Sequence, residues 1–307
     1  MKTLIVLTML LFISCNGRKD ETDNDNPIDS AMKNTFKSYD SVTESNASDN
    51  SSKQEKTKLI DSLRYNDYKF ELYRIENPAD DEFIDTKSIL HGYKADKQII
   101  DLNEDLYFLE IPVKAKDING NNIPDLVVEN FSGGAHCCYE FWIYELGKDF
   151  SKLLELSGDA EPKLVDLDND GIYEIKHSTS LFAYWHACYA CSFLPEYILS
   201  YKNGHYSLAK ELMKKKAPDD KELELIASKI KFTNKPWDSE DTGSFEAPEL
   251  FSEMLKLIFT GNMNTTWKFL DLAWPRTKPG KMQFKKDFLK QLSTFQYWND
   301  LKNLSSN

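Results

Sequence analysis

The 307-residue chain carries 38 Lys and Arg against 50 Asp and Glu, a formal net charge of −12. That background argues against a nucleic-acid partner, because no basic patch outweighs the negative charge that a phosphate backbone would meet. With 41% hydrophobic and 13% aromatic residues, the chain has enough apolar surface for one large or two small cores, which excludes a wholly disordered protein.

In chain order, Lys2 supplies a positive n-region, and residues 4–13 form an apolar run too short to cross a bilayer as a stable helix. This predicts a signal peptide over 1–15. Its end, Phe12-Ile13-Ser14-Cys15, resembles the bacterial lipobox, in which a small residue precedes a Cys that is acylated and becomes the mature N-terminus. The resemblance implies a lipid on Cys15, palmitate included, as the one link to the membrane. Residues 16–60 are rich in Asp, Asn, Ser, Lys and Glu and nearly free of aromatics, so they cannot offset the entropy of ordering and read as a disordered tether. Within it, Arg18-Lys19-Asp20-Glu21 is similar to the charged lipoprotein export signals of the Bacteroidota. That likeness implies an outer membrane lipoprotein, on the cell surface or the periplasmic face. As residues alone, the four are equally a solvated charge run.

Residues 61–212 read as short strands. Tyr68-Lys69-Phe70-Glu71-Leu72-Tyr73-Arg74-Ile75 alternates, and so does Tyr139-Glu140-Phe141-Trp142-Ile143-Tyr144. The strongest hairpin signal is Asn203-Gly204, a type I′ pair set between Tyr197-Ile198-Leu199-Ser200-Tyr201-Lys202 and His205-Tyr206-Ser207-Leu208. Residues 213–304 change to a helical period. Leu223, Ile226, Ala227 and Ile230 follow Pro218, placed as a first-turn proline, and share one face. Leu250, Phe251, Met254, Leu255 and Ile258 form a second stripe closed by Gly261, and a last helix is predicted to carry Phe284, Phe288, Leu292, Phe295 and Trp298. The aromatics between Trp267 and Trp298 fit a packed core; the other reading is an aromatic groove for a glycan or protein partner.

Two segments carry the most specific chemistry. Asp166-Leu167-Asp168-Asn169-Asp170-Gly171-Ile172-Tyr173-Glu174 sets carboxylates at loop positions 1, 3, 5 and 9 and a turn Gly at 6, an oxygen cage suited to hard Ca²⁺. Asp117-Ile118-Asn119-Gly120-Asn121-Asn122-Ile123-Pro124-Asp125 repeats the spacing with two amide oxygens, and Asn122, which tolerates the left-handed conformation, replaces the turn Gly. Neither has the position-12 Glu of an EF-hand, and both run straight into a strand pattern. They resemble the FG-GAP and VCBS repeats of integrin-like β-propellers. The resemblance implies calcium ligands at Asp117, Asn119, Asn121 and Asp125, and at Asp166, Asp168, Asp170 and Glu174. Without a metal, the same residues would form solvated Asx-turn loops. Crowding of like charge gives the second loop more to gain from a cation than the first.

His136-Cys137-Cys138 follows the first loop much as His186-Ala187-Cys188-Tyr189-Ala190-Cys191 follows the second, so the chain looks like one unit duplicated. With Cys15 acylated, four of the 5 cysteines remain, and in an oxidising compartment disulfides are the default. Bridges from Cys137 and Cys138 to Cys188 and Cys191 are expected to staple the units, because adjacent cysteines lie only about 3.8 Å apart at Cα. A Zn²⁺ or copper site of these cysteines with His136 or His186 is the alternative.

The Gly-x-Ser-x-Gly elbow, the His-Glu-x-x-His helix and the phosphate loop are all missing from the sequence. Paired acids for glycoside hydrolysis stay open, because the sequence does not say which carboxylates share a cleft. The expected fold class is α+β: an antiparallel β domain, propeller-like or sandwich-like and holding the two calcium loops, followed by a C-terminal helical bundle. The expected role is a calcium-stabilised binding module of the cell envelope. A calcium-dependent extracytoplasmic hydrolase is its rival.

Overall fold

Short turns divide the β portion into three four-stranded antiparallel meanders. The computed structural model describes residues 56–76, 87–103, 106–134, 138–232, 237–238 and 247–305, which all belong to one compact unit. The expected signal peptide, Cys15, residues 16–55 of the tether, His136 and Cys137 lie outside the described residues. The first sheet runs β1 (Lys56–Tyr65), β2 (Tyr68–Glu76), β3 (Ser88–Lys94) and β4 (Lys97–Leu102), paired in chain order. β1 therefore takes up the last residues assigned to the tether. The second sheet is β5 (Phe108–Lys116), β6 (Asp125–Phe131), β7 (Tyr139–Leu146) and β8 (Phe150–Gly158), and the third is β9 (Lys163–Val165), β10 (Glu174–Ser178), β11 (Glu196–Lys202) and β12 (His205–Leu208). Asn203 and Gly204 have φ of 54° and 84°, the two left-handed residues that a type I′ turn requires.

The second sheet is covered on both faces, and its sequence shows why. In Leu126-Val127-Val128 and Phe141-Trp142-Ile143-Tyr144 every side chain is buried, a continuous apolar run instead of an alternation. Leu126, Val128, Trp142 and Tyr144 share a core with Phe70, Leu72 and Leu90 of the first sheet. Val127, Phe141, Ile143 and Leu156 join a second core with Ile175 and Leu199 of the third sheet and with the helices.

The helices are α1 (Lys210–Met213), α2 (Asp220–Ala227), α3 (Pro248–Phe259), α4 (Met263–Ala273), α5 (Lys281–Leu292) and α6 (Trp298–Leu304). Pro218 lies just before α2 and not in its first turn. Asp219 is the N-cap, and its carboxylate accepts from the amides of Lys221 and Glu222 while its own amide donates to Glu222 Oε2. The expected last helix is two. α5 stops at Leu292, where the hydroxyls of Ser293 and Thr294 donate to the carbonyls of Lys290 and Gln291. Phe269, Trp274, Phe284, Phe288 and Phe295 are buried, so these rings form core and not an open groove. Among the described residues no helix is long and apolar enough to cross a membrane.

Candidate metal centre

The two acidic loops link β5 to β6 and β9 to β10, and both fold by one hydrogen-bond pattern. The position-9 carboxylate reaches back to the position-2 amide: Ile118 N–H donates to Asp125 Oδ2 at 3.0 Å and Leu167 N–H to Glu174 Oε2 at 3.0 Å. The position-5 side chain accepts from position 7, with Ile123 N–H on Asn121 Oδ1 and Ile172 N–H on Asp170 Oδ1, each at 2.8 Å. The position-1 carboxylate closes the ring. Asp117 accepts from the amides of Asn119, Gly120 and Asn122, and Asp166 from those of Asp170 and Gly171.

Two backbone positions in each loop are left-handed. At position 6, Asn122 has φ of 66° and Gly171 of 85°, so Asn does take the conformation expected of it. At position 4, Gly120 has φ of 73° and Asn169 of 62°. The loops thus use the same two residue types in opposite order.

Their chemistry differs. In the first loop Asp125 is fully buried, and its Oδ1 accepts from Asn119 Nδ2 at 3.1 Å. Burial, and next the charges of Asp117 and Glu145, push its carboxyl up to about 7. The predicted ligands Asp117, Asn119, Asn121 and Asp125 are thus tied to one another and to loop amides, with Asn121 Nδ2 also reaching Glu145 on β7. In the second loop, carboxylate oxygens of Asp166, Asp168 and Glu174 all lie within 4.8 Å of one another. Oxygens sharing one Ca²⁺ at about 2.3–2.6 Å are separated by no more than roughly 5 Å, so this spacing fits. Burial raises the Glu174 carboxyl, and the neighbouring Asp168 and Asp170 charges raise it further. Asp170 stands outside the group, its Oδ1 engaged by the Ile172 amide.

The cysteines pair differently from the expectation. Cys188 is bonded to Cys191 across the single turn Tyr189–Cys191, with Cα atoms 5.2 Å apart, inside the range that a disulfide spans. The expected bridges from these two to the Cys137–Cys138 pair are therefore not formed. Cys138 is itself disulfide-bonded. His186 is buried between the rings of Trp185 and Trp237.

Sequence reading also missed an aromatic row. Phe108, Phe131 and Tyr139 stack across β5, β6 and β7 with ring centroids 6.1 and 4.6 Å apart, and Phe108 is exposed. One rung inward stands Glu129, opposite Glu110 on β5. Burial, then the charges of Glu161 and Glu110, push the Glu129 carboxyl up to about 7. A carboxylate directly after the apolar run Leu126-Val127-Val128 was the available signal.

Compared with family models, curated proteins and solved structures, the chain matches none of them.

Proposed function

We propose that this chain is a cell-envelope lipoprotein, anchored in the outer membrane by lipid on Cys15, whose folded body is a calcium-stabilised binding module. The convergence of Asp166, Asp168 and Glu174 carries the calcium reading, because three carboxylates this close repel one another when empty and gain from a divalent cation. Three successive four-stranded meanders, two with an acidic loop before an inner strand, are the repeat pattern that supports the likeness to FG-GAP and VCBS blades. The aromatic row, exposed at Phe108 and half-buried at Phe131 and Tyr139, is the kind of surface that a glycan or protein partner would use.

Calorimetric titration of the full chain with Ca²⁺ tests it. A dissociation constant of about 10⁻⁴ to 10⁻³ M is expected, lost in Asp168→Ala, while Cys15→Ala should lose lipid labelling. Absence of binding heat, together with a melting curve indifferent to calcium and chelator, would end the calcium reading. The hydrolase reading draws on the raised Glu129 carboxyl beside Glu110 and Glu161. Glycan hydrolysis by the full chain that disappears in Glu129→Gln would put it first.

A further inference from the structure

Between the start of β11, the α1–α2 connection and α3 lies an open cleft of about 520 Å³, within the size range of small-molecule sites. Phe193, Ile198, Ile226 and Leu257 give it apolar walls, and the exposed Lys215, Lys216 and Lys256 also line it. The cleft shares no residue with the acidic loops.

Its charge is unusual for a chain of net charge −12. The two carboxylates in the lining are already matched: Glu253 pairs with Lys256 at 2.8 Å, and Glu196 with Lys176 at 3.1 Å. Lys215 and Lys216 make no ion pair among the described residues. The nearby C-terminal end of α3 supplies only about half a negative charge, too little to balance both ammonium groups. The backbone of Lys215 is held in place, its amide donating to the Thr260 carbonyl and its own carbonyl accepting from Asn262 Nδ2, each at 3.1 Å. The wall strand β11 is paired on both sides, by β10 and β12, and offers no free edge to an extended peptide.

We propose that this cleft binds a single-chain amphiphile with an anionic head, a long-chain carboxylate. Its tail lies against Phe193, Ile198, Ile226 and Leu257, and its head lies between Lys215 and Lys216. Charge-assisted hydrogen bonds give the head a discrimination of about tenfold or more.

The test is titration of the full chain with laurate, dodecanol and dodecyltrimethylammonium, each below its micelle concentration and with chelator present, so that the outcome is independent of calcium. Laurate should bind saturably at one per chain, about tenfold or more tighter than the other two. The double variant Lys215→Gln/Lys216→Gln should lose that preference with an unchanged melting temperature, and Ile226→Gln, at a half-buried position, should weaken laurate without touching the charges. Absent or unsaturable laurate binding overturns the proposal, as does equal binding of the three probes. Laurate binding left intact by the double lysine variant or by Ile226→Gln overturns it too.

Discussion

The Tyr173 amide donates to the Ile118 carbonyl at 2.8 Å, so the two acidic loops are joined through their backbones. Side chains tighten the joint. A Cβ placed on Gly120, where φ is +73°, would stand 2.5 Å from Ile172 Cδ1 and 2.8 Å from Cγ1, and Lys116 Nζ reaches the Tyr173 hydroxyl at 2.8 Å. Gly120→Ala should therefore cost about 2–3 kcal/mol, from left-handed strain plus the clash. Gly171→Ala is the control, because its φ is +85° but nothing lies within 4 Å of an added Cβ, and strain alone costs about 1 kcal/mol. Urea denaturation of both variants decides the matter. Equal losses would mean that the Ile172 side chain moves aside and the clash adds nothing to the strain.

The raised carboxyl of Glu129 predicts a pH dependence of stability. An acid whose pKa goes from 4.5 unfolded to about 7 folded leaves the native state most favoured below pH 4.5, and stability falls as pH climbs to about 7. Glu129→Gln mimics the protonated form. It should stabilise the chelator-treated protein at pH 8 by about 1 kcal/mol, well short of the full shift because the side chain is partly exposed, and by nothing at pH 4. A gain that is the same at both pH values would trace to packing and not to ionisation.

The Cys188–Cys191 bond closes a loop with a sequence separation of only 3, so it restricts the unfolded chain little. Replacing both residues with Ala should cost about 1–2 kcal/mol, below the range usual for a bridge across a long loop. Non-reducing peptide mapping should recover the two cysteines bonded to each other. Peptides joining either one to Cys138 would show instead the staple between units that the sequence suggested.

Strand and helix types were legible from local pattern, although Phe141-Trp142-Ile143-Tyr144 is buried on both faces of its sheet and not alternately as the sequence suggested. The hairpin at Asn203-Gly204 and the apolar stripe of α3 needed only turn chemistry and period. The split between α5 and α6 was not legible, since Phe284, Phe288, Leu292, Phe295 and Trp298 keep a helical spacing straight across it. At the loops, spacing did point to the residues that converge, Asp166, Asp168 and Glu174. It could not tell that Asp168 joins that group and Asp170 does not, because the two look equivalent in a one-dimensional pattern. The cysteine pairing was missed for a related reason: the turn that brings Cys188 to Cys191 is set by backbone that no apolar period announces.

That difference between Asp168 and Asp170 gives the sharpest test of the second loop. Asp168 contributes an oxygen to the converging group, and Asp170 holds the Ile172 amide. Asp168→Asn should raise the calcium dissociation constant by about tenfold or more while leaving the metal-free protein as stable or slightly more so, since it removes one of three crowded charges. At a calcium concentration a hundred times the wild-type dissociation constant, the wild-type gain of about 2.7 kcal/mol should fall to roughly half or less. Asp170→Ala should do the reverse, costing about 0.5–1.5 kcal/mol without metal through the lost hydrogen bond, with a smaller effect on calcium affinity. Asp170→Asn keeps an acceptor for Ile172 and should restore most of that stability. Paired thermal melts and titrations of the three variants separate the roles. If Asp168→Asn and Asp170→Asn weaken calcium equally, Asp170 swings inward when the ion binds and the cage is the four-carboxylate one that the spacing implied.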